Sequence, residues 1–168
     1  LMQEAGKLEA RYQKLYASMT VDFDGKTMPL PMLGKYKQSD DRAVRRAAFE
    51  AEGKVFDEHR EELDEIFDKL VKNRNAQGRM LGYENYIRLG YDRLGRNCYG
   101  AQELRDFRKQ IARDLVPIVA QVKEAQRKRI GVDRLCVYDN DYRFPDGNPM
   151  PEGTPEEILA AGKAMYQQ

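Results

Sequence analysis

Apolar residues recur at helical spacing along most of this chain. The densest run lies between Asp57 and Gly95. There Leu63, Ile66, Phe67 and Leu70 share one stripe, with acids and bases around the rest of the helix. Val44, Ala47, Ala48, Ala51 and Val55 extend that stripe upstream, which predicts helix from about Asp41 to about Met80 with a bend at Gly53. Gly82-Tyr83 interrupts it. Tyr86, Ile87, Gly90, Tyr91 and Leu94 then begin a second stripe. Two helices meeting at this corner would pack aromatic rings while leaving their hydroxyls within reach of a partner.

Upstream, Leu8, Tyr12, Leu15, Tyr16 and Met19 mark a first helix. Val21-Asp22-Phe23, the turn signal Asp24-Gly25 and Thr27-Met28-Pro29 predict a β-hairpin near 21–29. Pro29 and Pro31 confine its return strand to an edge. Leu30 to Gln38 reads as a short helix, and Ser39 as the N-cap of the long one, with Asp40 and Asp41 favouring its positive end.

Downstream, Leu104, Phe107, Ile111, Leu115, Ile118 and Val122 give the most regular stripe in the chain and predict a core-facing helix. Pro117 removes one backbone donor and predicts a kink near Arg113 to Leu115. Gly131 fits a left-handed terminating residue. Leu135 to Tyr138 predicts a short strand, and Asp139 to Gly153 a loop. Thr154-Pro155-Glu156-Glu157 is a helix start with a cap, a first-turn proline and a capping-box glutamate. That helix runs on to Gln168 with Ile158, Leu159, Gly162, Met165 and Tyr166 on one stripe, which predicts self-association or loose anchoring. The fold class is mainly α: long antiparallel helices with one small β-hairpin. Residues 1–135 read as a helical lobe, and 136–168 as a loop and the start of a further helix.

A chain of 168 residues has room for one domain, or for a piece of a larger one. Hydrophobic content of 41% and ten tyrosines argue against disorder. Charged residues make up 34%, yet the formal net charge is only +1, so no global field draws the chain to nucleic acid or membrane. No apolar run approaches a membrane span. Leu1-Met2-Gln3-Glu4 begins inside a charged helical pattern, not a signal peptide, and lacks an initiator methionine, as an excised piece would. Cys98 and Cys136 have no metal-ligand spacing and read as reduced thiols, which with the missing signal suggests a cytoplasmic protein.

His59 is the only histidine and lies between Val55 and Leu63 on the apolar stripe, so it reads as a packed structural residue. Glu58, Glu61, Glu62, Asp64, Glu65 and Asp68 read as a solvated helix face, as do Arg42, Arg45 and Arg46, and the basic run Lys123 to Arg129. Neither basic group is interleaved with aromatics as single-strand binders require. Cys98 has no base to activate it as a nucleophile. This leaves Arg79, Tyr83 and Tyr86 as substrate-groove candidates that could hydrogen-bond a peptide backbone; the competing reading is that they pack two helices together. No catalytic residue and no metal ligand is assigned.

Asn73-Arg74-Asn75 with Arg79 and Leu81-Gly82-Tyr83-Glu84-Asn85-Tyr86 resembles the helix-and-corner segment of oligoendopeptidase F-type zinc metallopeptidases, relatives of thimet oligopeptidase. Asp24-Gly25-Lys26 followed by Ser39 to Ala48, and Tyr138-Asp139 followed by Phe144 to Pro149, fit the same family in the same order. The resemblance implies a larger, two-lobed helical peptidase that cleaves oligopeptides in a deep channel with zinc as cofactor. Its zinc site needs two histidines one helical turn apart and a downstream glutamate, and position 63, four after His59, is leucine. The chain then corresponds to channel wall before the catalytic lobe, binding no zinc itself, with that remaining lobe as its partner. A free-standing helical interaction module without activity is the alternative.

Overall fold

The computed structural model describes residues 1–167. The order is α1 (Met2–Ser18), β1 (Thr20–Phe23), β2 (Lys26–Pro29), a 3-10 turn (Leu30–Leu33), α2 (Gly34–Lys37), α3 (Arg42–Glu58), α4 (Arg60–Met80) and α5 (Tyr86–Arg93). After a short linker come α6 (Ala101–Gln110), a π-helical turn (Ile111–Leu115), α7 (Val116–Arg129), a second 3-10 turn (Val137–Asp139) and α8 (Pro155–Tyr166). The chain is mainly helical with one small hairpin, as the sequence pattern predicts. No helix among the described residues is long and apolar enough to cross a membrane.

The hairpin pairs Val21 with Met28 across an Asp24-Gly25 turn. Both turn residues have positive φ, 54° and 68°, the conformation a tight two-residue hairpin needs. Its inner face supplies Val21 and Met28 to the core, joined by Met19, Leu30, Leu33, Ala48 and Val55. Leu15, Phe23, Tyr36, Ala51, Phe56 and Leu63 pack around that cluster. The core therefore sits where α1, the hairpin and α3 meet. α4 packs along α1, burying Ile66, and Arg11 of α1 reaches Glu62 and Glu65 on α4 at 2.8 and 2.9 Å.

The long helix breaks at His59, not at Gly53. Gly53 stays helical inside α3, and a Cβ there would meet open space. At His59 (φ −104°, ψ 9°) the backbone N–H is shared between the Val55 and Phe56 carbonyls, and the ring Nδ1 lies 2.9 Å from the Val55 carbonyl oxygen. Competition for that acceptor ends one helix and begins the next. The half-buried ring agrees with a packed structural histidine.

Other boundaries also shift. Asp41, not Ser39, caps α3, its Oδ1 accepting from the Ala43 N–H at 2.8 Å, while Ser39 Oγ accepts from the Asp41 N–H. The segment Leu135–Tyr138 forms no strand; the Asp139 carboxylate accepts from the Cys136 N–H at 2.9 Å and folds it into a 3-10 turn. Near Pro117 the helix does deform, as a π turn over Ile111–Leu115, because proline has no N–H to give to the carbonyl four residues back.

The largest difference concerns α6 and α7. Their stripe is not a core: Phe107 and Ile118 are each 56% exposed, and Leu115 and Val122 are exposed as well. A helical period shows that one face is apolar, but not what covers it. On α5 the buried residue is Leu89, while Ile87 and Leu94 face outward.

Candidate functional site

The α4–α5 corner is built on one close approach. A Cβ on Gly78 would lie 2.4 Å from the Asn85 carbonyl oxygen and 2.6 Å from its carbon, so only glycine lets the two backbones meet. Gly82, at φ 84°, turns the chain between them. Asn75 Oδ1 accepts from the Tyr86 N–H at 3.1 Å, and Asn85 caps α5 by accepting from the Ile87 N–H at 2.8 Å. Asn73 and Gln77 are buried on the same helix face, Gln77 donating to Asn73 Oδ1 at 2.6 Å. Asn75, Gly78 and Asn85 thus form the joint that fixes the angle between the helices, while Asn73 donates to the Leu1 carbonyl at 3.0 Å and ties α4 to the start of α1.

The three groove candidates have different fates at this joint. Tyr83 Oη donates to Asp92 Oδ2 at 2.8 Å, bridging the turn to α5. That bond, with some desolvation, pushes its phenol above the ordinary tyrosine range. The Tyr86 ring lies against Gly90 and near two guanidiniums, Arg74 at 5.8 Å and Arg93 at 5.7 Å from its centroid. Arg79, in the last turn of α4, is exposed; its carbonyl accepts from the Gly82 N–H at 3.0 Å, and its guanidinium makes no hydrogen bond or ion pair among the described residues. Two shallow hollows of about 260 and 230 Å³ adjoin the corner, the second lined by Tyr86, Arg74, Gln77 and Arg93. Neither includes Arg79 or Tyr83. The corner brings Tyr83 and Tyr86 into packing roles and leaves Arg79 to solvent.

A second cluster escaped the sequence pattern. Asp139 is fully buried and accepts from Arg45 Nη2 at 3.0 Å, from Arg42 Nη2 at 2.9 Å and Nε at 3.2 Å, and from the Cys136 N–H. Arg45 is 2% exposed. Its other terminal nitrogen donates to the Ser39 and Asp40 carbonyls, and its guanidinium lies 4.1 Å from the Tyr142 ring centroid. Burial pushes the Asp139 carboxyl up, but the donors from Arg42, the Cys136 backbone and Arg45 outweigh it and hold the group below the usual carboxylate range. Of the three arginines expected to be solvated, Arg46 is so, pairing with Glu50 at 2.7 Å on the surface; Arg42 is half-buried with its side chain 40% exposed, and Arg45 is buried. The missed signal was phase. Arg45, Ala48 and Val55 share the face that α3 buries, so an arginine on it must meet a buried anion.

The third feature is the exposed apolar face of α6, the π turn and α7. Phe107, Leu115, Val116, Ile118, Val119 and Val122 are all at least half-exposed or close to it. α8 carries Ile158, Leu159, Met165 and Tyr166, likewise exposed, above a capping box in which Thr154 and Glu157 exchange hydrogen bonds. No group of three or more His, Cys, Asp or Glu side chains among the described residues is arranged to hold a metal ion.

Comparison with known proteins bears on these features together. Among curated protein sequences none matches. Among solved structures, PZ peptidase A with an inhibitor shares 45% identity over 98% of this chain, with a TM-score of 0.92. A protein assigned as an oligoendopeptidase F shares 41% identity at a TM-score of 0.92, and another from Bacillus anthracis str. Ames 39% at 0.88. The chain spans only 29–30% of the length of each. The α6–α8 arrangement is thus the one that much longer peptidases adopt. The sequence profile of peptidase family M3 matches residues 35–146, which takes in both the Asp139 cluster and the Gly78 corner. The chain belongs to peptidase family M3.

Proposed function

We propose that this chain works as part of a zinc-dependent, cytoplasmic metalloendopeptidase that hydrolyses oligopeptides, and that its own role is to form the wall of the substrate channel. The observation that carries the reading is the exposed apolar face of α6–α7 in a chain whose backbone superposes on peptidases more than three times longer. Residues 1–135 serve as a helical lobe. The segment 136–168 leads through α8 toward the lobe that carries the catalytic residues. Zinc, where the complete enzyme binds it, supplies Lewis-acid activation of water; the side chains described here do not fit a zinc site, having one histidine and no converging acids. This part then contributes shape and polarity, not ligands. Arg79, exposed at the end of α4, remains the candidate for hydrogen bonding to a peptide carbonyl, with Tyr83 and Tyr86 setting the corner from which it projects.

Reading the coding DNA beyond the codon for Gln168 tests this simply. A His-Glu-x-x-His within about a hundred codons supports it. A stop codon directly after Gln168 would favour a free-standing helical module instead.

A further inference from the structure

α6, the π turn and α7 form one rod, residues 101–129, that has no sizeable interface with α1–α5. What joins it to the body is the strap that follows, residues 132–148. On the α7 side the strap is bound by four side chains. Gln126, buried, donates to the Asp139 carbonyl at 3.0 Å and the Tyr142 carbonyl at 2.9 Å. Lys123 reaches Asn140 Oδ1 at 2.9 Å, Arg127 the Val132 carbonyl at 2.8 Å and Arg129 the Arg143 carbonyl at 2.8 Å. Arg129 also lies 4.2 Å from the Phe144 ring centroid. Strap and α7 are therefore one unit.

On the body side the attachment narrows. Apart from an exposed bond from Asn148 to Gln38 and the Asp40 carboxylate beside the Tyr142 hydroxyl, the polar contacts converge on Arg42 and Arg45 of α3, which hold Asp139, Tyr142 and the Arg134 carbonyl. The rod's other connection is the linker 94–100, largely exposed, with Gly95 at φ 69°.

We propose that Asp139 is a positioning residue: its pairing with Arg42 and Arg45 sets the angle of the α6–α7 rod against the α1–α5 body, and removing it lets rod and strap swing as a unit about residues 94–100. Removing the carboxylate leaves the Arg45 guanidinium buried without an anion, and the cheapest relief is for the strap to leave α3, because α3 keeps its hydrophobic contacts with the hairpin when it does. This stands on contacts within the chain and does not depend on the channel reading.

The test uses the 168-residue chain with ketone-selective spin labels on p-acetylphenylalanine at two exposed positions, Lys54 on α3 and Lys128 on α7, so that Cys136, whose thiol lies 3.7 Å from Arg42, is left in place. The unaltered clasp gives one narrow distance distribution. Asp139→Asn and the milder Arg42→Ala both broaden it at least twofold, while amides of α3 and α4 keep their exchange protection and those of residues 132–148 exchange at least tenfold faster. A folded Asp139→Asn with an unchanged distribution overturns the proposal. So does a loss of protection in α3 and α4 in both variants, which would make the clasp general support of the core.

Discussion

Gly78→Ala isolates the α4–α5 joint. The added Cβ meets the Asn85 carbonyl oxygen at 2.4 Å, the Asn85 carbon at 2.6 Å and the Tyr86 nitrogen at 3.0 Å, all of them backbone. Relief needs a shift of about 1 Å to reach ordinary contact. The Asn75–Tyr86 bond and the bond from the Tyr83 N–H to the Gly78 carbonyl resist that shift. Overpacking costs about 1–3 kcal/mol. Weakening a hydrogen bond adds about 1 kcal/mol. Replacing a helical glycine with alanine returns about 1 kcal/mol. The net expectation is a loss of about 1–3 kcal/mol in urea melts followed by circular dichroism. Gly53→Ala is the matched control, since its Cβ meets nothing within 4 Å in the middle of α3. It should gain about 0.5–1 kcal/mol. Equal stabilisation by both substitutions would refute the close approach and the joint built on it.

Further expectations follow from burial and charge. Ile66→Ala, at a site 1% exposed, should cost about 2–5 kcal/mol in the same melts, whereas Phe107→Ala and Ile118→Ala should each cost under about 1 kcal/mol in this chain, since neither is buried. Asp139→Asn should weaken the attachment of residues 132–148 to α3 by about 3–5 kcal/mol at pH 7, read as lost amide protection over that strap, while the cooperative melt of α1–α5 is little changed. Because the Asp139 carboxyl titrates lower when folded than when unfolded, its contribution is complete above the unfolded value near 3.9 and is lost as pH falls through the folded value, so the difference between variant and parent over residues 132–148 should close as pH falls. Thr154→Ala removes the α8 cap and should cost that helix about 1 kcal/mol, read as faster amide exchange over 155–166 with α4 unchanged.

Much of the fold could be read from pattern because the signals are local. Asp24-Gly25 dictates a turn by its backbone alone, Thr154 to Glu157 a helix start, and Pro117 a deformation within one turn of where it occurs. What pattern could not supply was the partner of each face. The α6–α7 stripe has the spacing of a core helix and is exposed. Arg45 has the composition of a solvated face and is buried, because its anion lies 94 residues away in a loop that reads as featureless. His59 was legible as a structural residue from its place on the stripe, but not as the break, which depends on its ring reaching the Val55 carbonyl. Of the corner, the tyrosines were visible, while Gly78, whose missing side chain permits the joint, carries no signal except its smallness.

The chain belongs to peptidase family M3, and the proposed function makes it channel wall in an oligopeptide-cleaving enzyme. The most direct measurement is hydrolysis of quenched fluorogenic peptides of graded length by the full-length gene product, with and without a zinc chelator. Chelator-sensitive cleavage of short peptides is expected, with no cleavage of folded proteins and a steep loss of turnover on short peptides for Ile118→Asp, on the exposed α7 face, in a product that still folds. A folded, zinc-loaded product that cleaves no peptide of any length would contradict it.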